Sequence, residues 1–211
     1  MLSALMLAAA FTATTPPPLA EAIEHFRTVE TYQVTLRSAH AEGESQLRYS
    51  YRKPGFVRME FIRPHAGAVL VYSPLTGRVR LWPFGAGRFP EFSLSPHNPL
   101  IRSPGGQSVD RSDVGALFEN VRTLQQQGQA ETRGEARMAD GRTVVHLVVT
   151  GAPGVTVAGV HRYELWLDPA SRFPVKVVSR SPADAVIETV TMDDLEINAP
   201  LPAALFDPAG E

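Results

Sequence analysis

Cysteine is absent from the 211 residues. That excludes a disulfide scaffold, thiolate metal sites, a cysteine nucleophile and acylation at a lipobox cysteine. Lysine is nearly absent as well: Lys53 and Lys176 stand against 18 arginines. Net charge is small, 20 − 22 = −2, without the basic excess that nucleic-acid binding needs. No GxGxxG, Walker loop or GxSxG occurs. The nearest fragment, Gly106-Gln107-Ser108-Val109-Asp110, lacks the last glycine of a nucleophile elbow. The six histidines are scattered; His146 and His161 fall on predicted strands but have no third ligand at metal-binding spacing. Asp193-Asp194 is an acidic pair whose members face opposite sides of a strand. Thus no catalytic residue, metal ligand or cofactor is expected. No apolar run reaches the roughly 18 residues of a membrane-spanning helix.

What is present starts with an uncharged segment, Met1 to Ala20. Its apolar run to Phe11 and the small and proline residues after it read as a secretory signal, without a basic n-region. Residues 1–20 are therefore expected to be a leader and 21–211 a single domain. The exported protein is expected to be soluble in the periplasm, not lipid-anchored and monomeric.

Ala22, Ile23, Phe26 and Val29 recur at helical spacing and predict a helix over about Leu19 to Val29. The period then changes to two. Tyr32, Val34 and Leu36 alternate with polar residues, as do Leu47, Tyr49 and Tyr51, and Val57, Met59 and Phe61. Further strands are expected at Ala68 to Tyr72, Arg78 to Trp82 and Arg88 to Leu94. Ser95 to Gly106, rich in proline and glycine, is an irregular segment of a length that tends to be functional or mobile. Val114, Leu117, Phe118, Val121 and Leu124 give a second helix, Ser112 to Gln127. Asp110 or Ser112 would cap its start and Gly128 would take its C′ position. Strands resume at Ala130 to Met138, Arg142 to Thr150, His161 to Leu167, Phe173 to Arg180 and Val186 to Ile197. Short connections imply antiparallel pairing.

The fold class is therefore α+β, mainly β: a strongly curved antiparallel sheet of ten or eleven strands with two or three helices on its concave side. Val57, Met59, Phe61, Val69, Val71 and Leu81, with Phe118 from the second helix, are the candidate apolar face for a ligand. Such a face lines a cavity, or the helices fill it and leave a solid core.

Four stretches, in this order and spacing, resemble the periplasmic lipoprotein carriers of the LolA/LolB type. They are Tyr51-Arg52-Lys53-Pro54-Gly55-Phe56-Val57-Arg58-Met59, Leu70-Val71-Tyr72-Ser73-Pro74, the pair Leu165-Trp166-Leu167-Asp168-Pro169 and Phe173-Pro174-Val175-Lys176-Val177, and Leu205-Phe206-Asp207-Pro208. The resemblance implies an unclosed half-barrel with a helical lid, acyl chains of a lipoprotein or another lipid as cargo, and no catalysis. It implies an inner-membrane donor, an outer-membrane acceptor and transient contact with the membrane surface. It also places Lys53, preceded by Arg52, where the best-known carrier has an arginine that helps hold the lid closed, and Met59 where that carrier has an aromatic residue. Regulators of envelope stress in the same superfamily bind protein partners through this fold, so a sensory module is the second expectation. A hydrolase of envelope lipids, which would need a Ser/His/Asp cluster in the cavity, is the third.

Overall fold

The computed structural model describes residues 17–103 and 105–207; the rest of the predicted leader lies outside them. Helix α1, Pro17–Arg27, leads into strands β1 (Thr31–His40), β2 (Gly43–Arg52), β3 (Phe56–Arg63), β4 (Val69–Ser73), β5 (Arg78–Trp82) and β6 (Phe92–Leu94). A crossover with 3-10 turns at Pro99–Ile101 and Val109–Arg111 leads to helix α2, Val114–Gln126. Strands β7 (Gly128–Arg137), β8 (Thr143–Gly151), β9 (Arg162–Leu167), β10 (Pro174–Arg180) and β11 (Val186–Ile197) complete the sheet.

All eleven strands form one antiparallel sheet in the order β6-β5-β4-β3-β2-β1-β11-β10-β9-β8-β7. Its two edges, β6 and β7, do not pair, so the half-barrel is unclosed. Both α-helices pack their apolar residues into the concave side, α1 through Leu19 and Ala22 and α2 through Phe118, Val121 and Leu124. Leu19 has no solvent exposure, so a segment expected to belong to the leader supplies part of the core.

The helix ends differ in detail from their expected form. Asp113, not Asp110 or Ser112, caps α2: its Oδ1 accepts the N–H groups of Gly115 at 2.7 Å and Ala116 at 3.2 Å. Ser112 instead donates to the Val109 carbonyl at 2.7 Å. Asp113→Ala is expected to cost about 1 kcal/mol, read as a lower urea midpoint, as loss of such a cap does. Burial raises the Asp113 carboxyl pKa, so Asp113→Asn keeps the acceptor without the buried charge and should match or exceed the wild type at pH 7. Gly128 is not a left-handed C′ residue. It opens β7 directly, and a Cβ there would lie 2.1 Å from the Thr150 carbonyl oxygen. Glycine is required by the close approach of β7 to β8.

Strand β4 is buried on both faces, and this corrects the expected apolar face. Leu70 pairs between Met59 and Leu81 on the concave side. Val69 and Val71 therefore point the other way, since successive side chains alternate. On the convex side they pack with Trp82 and Phe206. The C-terminal segment is what covers them. Leu201, Leu205 and Phe206 lie over this patch. Arg58 donates to the Leu205 carbonyl at 2.8 Å, and Arg80 reaches Asp207 at 3.1 Å.

His146 and His161 do not meet. The His161 ring contacts the Val155 carbonyl at 2.8 Å. His146 stacks on Trp166, centroids 4.4 Å apart, and lies 3.5 Å from Glu164. Burial lowers the His146 pKa below its ordinary 6.5, with Glu164 opposing the shift and Arg133 adding to it. The unfolded chain then takes up the proton first as pH falls, so stability is lost on acidification from about pH 6.5. Glu164 acts in the same direction at lower pH: burial raises its pKa, but Arg180 and Arg162 carry it net below 4.5. His146→Phe keeps a ring on Trp166 and should flatten the melting temperature between pH 7 and 5.5. An unchanged slope over that range would show that His146 does not titrate with unfolding.

Candidate functional site

The inward residues of the sheet change size along each strand, and this taper makes the site. Towards one end the concave face carries Tyr32, Tyr49 and Tyr51, with ring centroids 5.8 and 5.1 Å from Tyr32. Phe173 packs edge-on to Tyr32 at 5.0 Å, and Phe26 of α1 reaches Tyr51 at 6.0 Å. Tyr32 accepts the Val114 N–H at 3.3 Å, and Tyr49 pairs with Ser112 at 3.0 Å. Burial raises the pKa of both hydroxyls well above the ordinary value, so they stay neutral. This aromatic plug, with α1 and α2, is solid core.

Beyond it the inward side chains shrink on β2 and β10, and on β1 the small Ser38 opens the row. On β1 they run Leu36, Ser38, His40; on β2, Leu47, Ser45, Gly43; on β10, Val177, Ser179. A cavity of about 880 Å³ opens there, within the roughly 300–1,000 Å³ usual for small-molecule sites. Met59, Phe61 and Leu81 line it, together with Leu70 of β4 and Ala68 just before that strand, which take the place of Val69 and Val71 in the lining. Val57 and Phe118 do not border it; they are 2% and 3% exposed in the packed core. The Ser95 to Gly106 segment supplies the opposite wall through Leu100, Ile101, Arg102 and Ser103. Among the described residues, the hydrogen bonds of 95–103 and 105–107 are internal to the segment, such as Ser103 N–H to the Gln107 carbonyl at 3.0 Å. Ile101 packs it against the core. At the mouth, Leu100 is 85% and Phe84 66% exposed.

The cavity has a polar end. Ser38 donates a short hydrogen bond to Glu188 Oε1. His40 and Ser179 sit opposite Glu188 on the neighbouring strands. Ser38, His40 and Glu188 do not form a nucleophile relay. The serine proton goes to the carboxylate, and His40 Nδ1 accepts the Glu42 N–H at 3.2 Å. Tyr163, also lining, has its hydroxyl pushed up to about 12 by burial. Among the described residues no cluster suits a metal ion. Asp193 and Asp194 are engaged separately, with Arg37 at 3.3 Å and Thr35 at 3.1 Å.

Lys53 and Arg52 part company at the β2–β3 turn. Lys53 Nζ donates to the Arg27 carbonyl at 2.6 Å and to Glu30 at 3.0 Å, tying down the C-terminus of α1 where a positive charge is favourable. Arg52 lies on the convex side, its guanidinium 4.6 Å from the Phe56 centroid and 4.9 Å from that of Phe206.

No known family model and no curated protein matches the chain by sequence. Solved structures do match in shape. An uncharacterized conserved protein from Thermus thermophilus superposes with a TM-score of 0.55 at 15% identity, over 90% of each chain. A chain of the Pseudomonas aeruginosa MucA/MucB complex gives 0.55 at 19% identity over 90% of this chain, which spans 59% of that one. The Mycobacterium tuberculosis lipoprotein LppX gives 0.52 at 12% identity, over 90% of this chain and 99% of its own. The chain shares with these structures the fold described above, an unclosed antiparallel half-barrel with helices on its concave side. At these identities the likeness is one of fold. No helix among the described residues is long and apolar enough to cross a membrane.

Proposed function

We propose that the protein is a periplasmic carrier that holds a long acyl chain, of a lipoprotein or another lipid, in the half-barrel cavity and passes it towards the outer membrane. The observation that carries this reading is the cavity itself. Its 880 Å³ lie between the apolar rows of β1 to β5 and a strap fastened by few directional bonds, with a mouth flanked by exposed Phe84 and Leu100. Burying a methylene contributes about 0.8 kcal/mol, so a long chain is bound without ionic attraction. The exposed mouth suits transient contact with a membrane surface, where a chain is collected or delivered. Met59, Phe61 and Leu81 are the proposed contacts, and Lys53 the residue that keeps α1 seated; Arg52 would act from the convex side.

A chain-length series tests this reading. Displacement of a neutral fluorescent probe by straight-chain alcohols should tighten about tenfold for each added pair of methylenes until the cavity is full. Affinity independent of chain length would overturn acyl-chain binding.

The second reading is a sensory module on the same fold, supported by the likeness to a chain of the MucA/MucB complex. It is distinguished by a pull-down from envelope extracts: a membrane-anchored regulator recovered without lipoprotein favours the sensor, and acylated protein at the cavity favours the carrier.

A further inference from the structure

The polar end of the cavity has a sign. Of its lining residues, Arg102 is the one arginine or lysine; it is exposed at the rim and its Nε is committed to the His97 carbonyl at 3.1 Å. The acidic lining groups are Glu42, Glu44, Asp113 and Glu188. Glu42 lies in the exposed β1–β2 turn and Glu44 is exposed at the start of β2, and Asp113 is bound to the first turn of α2. Glu188 alone projects from a concave strand face into the cavity. Its Oε1 takes the Ser38 hydroxyl, and its Oε2 has no hydrogen-bond partner among the described residues. The strap crosses this atom at Gly105, where a Cβ would come within 3.3 Å of Oε2. Any side chain at residue 105 would crowd the free oxygen; glycine leaves its acceptor directions open.

We propose that Glu188 is the headgroup-recognition residue of the cavity, and that the ligand is a long-chain amphiphile whose head is a hydrogen-bond-donating cation, an ammonium. This rests on the acyl-chain reading above and narrows it. An ammonium meets the free Oε2 in a charge-assisted hydrogen bond, roughly twice as strong as a neutral one. The hydroxyls of Ser45 and Ser179 and the side chain of Gln107 flank the same end and accept its remaining protons. An anionic head, a phosphate or a free carboxylate, meets Glu188 as a like charge with no cation inside to offset it. The cavity therefore ranks ligands of one chain length by the charge of the head.

The test uses three twelve-carbon probes below their micellar concentrations: dodecylammonium, dodecanol and dodecanoate, each displacing a neutral fluorescent probe from the full chain. Dodecylammonium should bind at least tenfold more tightly than dodecanoate, with dodecanol between them. In Glu188→Gln the amide oxygen still accepts from Ser38, and the ammonium-to-carboxylate ratio should fall to within threefold of one. Glu131→Gln, an exposed change on edge strand β7, should keep the wild-type ratio. Dodecanol binding without preference for the ammonium would overturn the role of Glu188, and so would a preference that survives Glu188→Gln. Failure of all three probes to bind would instead overturn the acyl-chain reading. The ranking on the unaltered protein stands as a test even if Glu188→Gln does not fold.

Discussion

Leu81→Arg should lower the affinity for a long-chain alcohol by at least a hundredfold while leaving the fold intact. Leu81 faces the cavity from β5, paired with Leu70 on one side and with Phe92 of edge strand β6 on the other. It is half-buried, so the arginine stem can follow the wall and keep its head near the mouth. The folded chain therefore tolerates the change. A bound acyl chain does not. Its methylenes would have to strip water from a guanidinium, losing about 0.8 kcal/mol for every CH₂ displaced and adding the cost of burying a polar group without a partner. Loss of about four methylene contacts alone corresponds to more than a hundredfold. Retained affinity in a folded Leu81→Arg variant would mean that the chain lies elsewhere.

Trp82→Ala should do the reverse: destabilise strongly and leave ligand affinity within about twofold for the folded fraction. Trp82 is the next residue on β5 and so faces the convex side, where it is 1% exposed against Val69, Val71 and Phe206. Its indole N–H donates to Glu91 at 3.1 Å, and Arg80 lies 4.9 Å from its ring centroid. Large-to-small changes at buried aromatic residues cost about 3–5 kcal/mol. Part of that loss comes from the tail, since the patch under Leu201, Leu205 and Phe206 would lose its largest member. Chemical denaturation measures the first quantity and probe displacement the second. A pair of adjacent residues with opposite outcomes, one on affinity and one on stability, would demonstrate that the two faces of β5 do separate jobs.

That alternation is also where the sequence was hardest to read. Most strands were legible because their polar and apolar residues alternate, as in Tyr32-Gln33-Val34-Thr35-Leu36. The Arg78 to Trp82 strand matched in full. In β4, by contrast, Ala68 to Tyr72 is apolar throughout, so the pattern carries no parity. The C-terminal segment buries the convex side, and only its position tells Leu70 from Val69 and Val71. The helical stripe of α2 was plain, but Phe118 in a stripe cannot be told from a cavity wall until the aromatic plug is located. The first turn of α2 offered several short polar residues, and spacing alone did not single out Asp113.

The cavity did leave a trace in the sequence. Going outward, the inward positions read Tyr32, Val34, Leu36, Ser38, His40 on β1 and Tyr51, Tyr49, Leu47, Ser45, Gly43 on β2. Side-chain volume falls steadily along β2, and on β1 the small Ser38 interrupts the row of larger residues beside it; together they mark an end that the core does not fill. Glu188 left no such trace. It lies in a strand with several acidic residues, Glu188, Asp193, Asp194 and Glu196, and only the pairing with His40 and Ser179 turns it inward. The crossover from Ser95 to Gly106 stood out for its prolines, yet its place as a cavity wall depends on long-range packing.

Native mass spectrometry of the protein, purified without detergent, tests the central claim most directly. Acyl-chain carriage predicts a species heavier than the polypeptide by the mass of one acylated ligand, removed by organic extraction and restored by adding a long-chain lipid. Bare polypeptide in every preparation, with no uptake of added lipid, would contradict it.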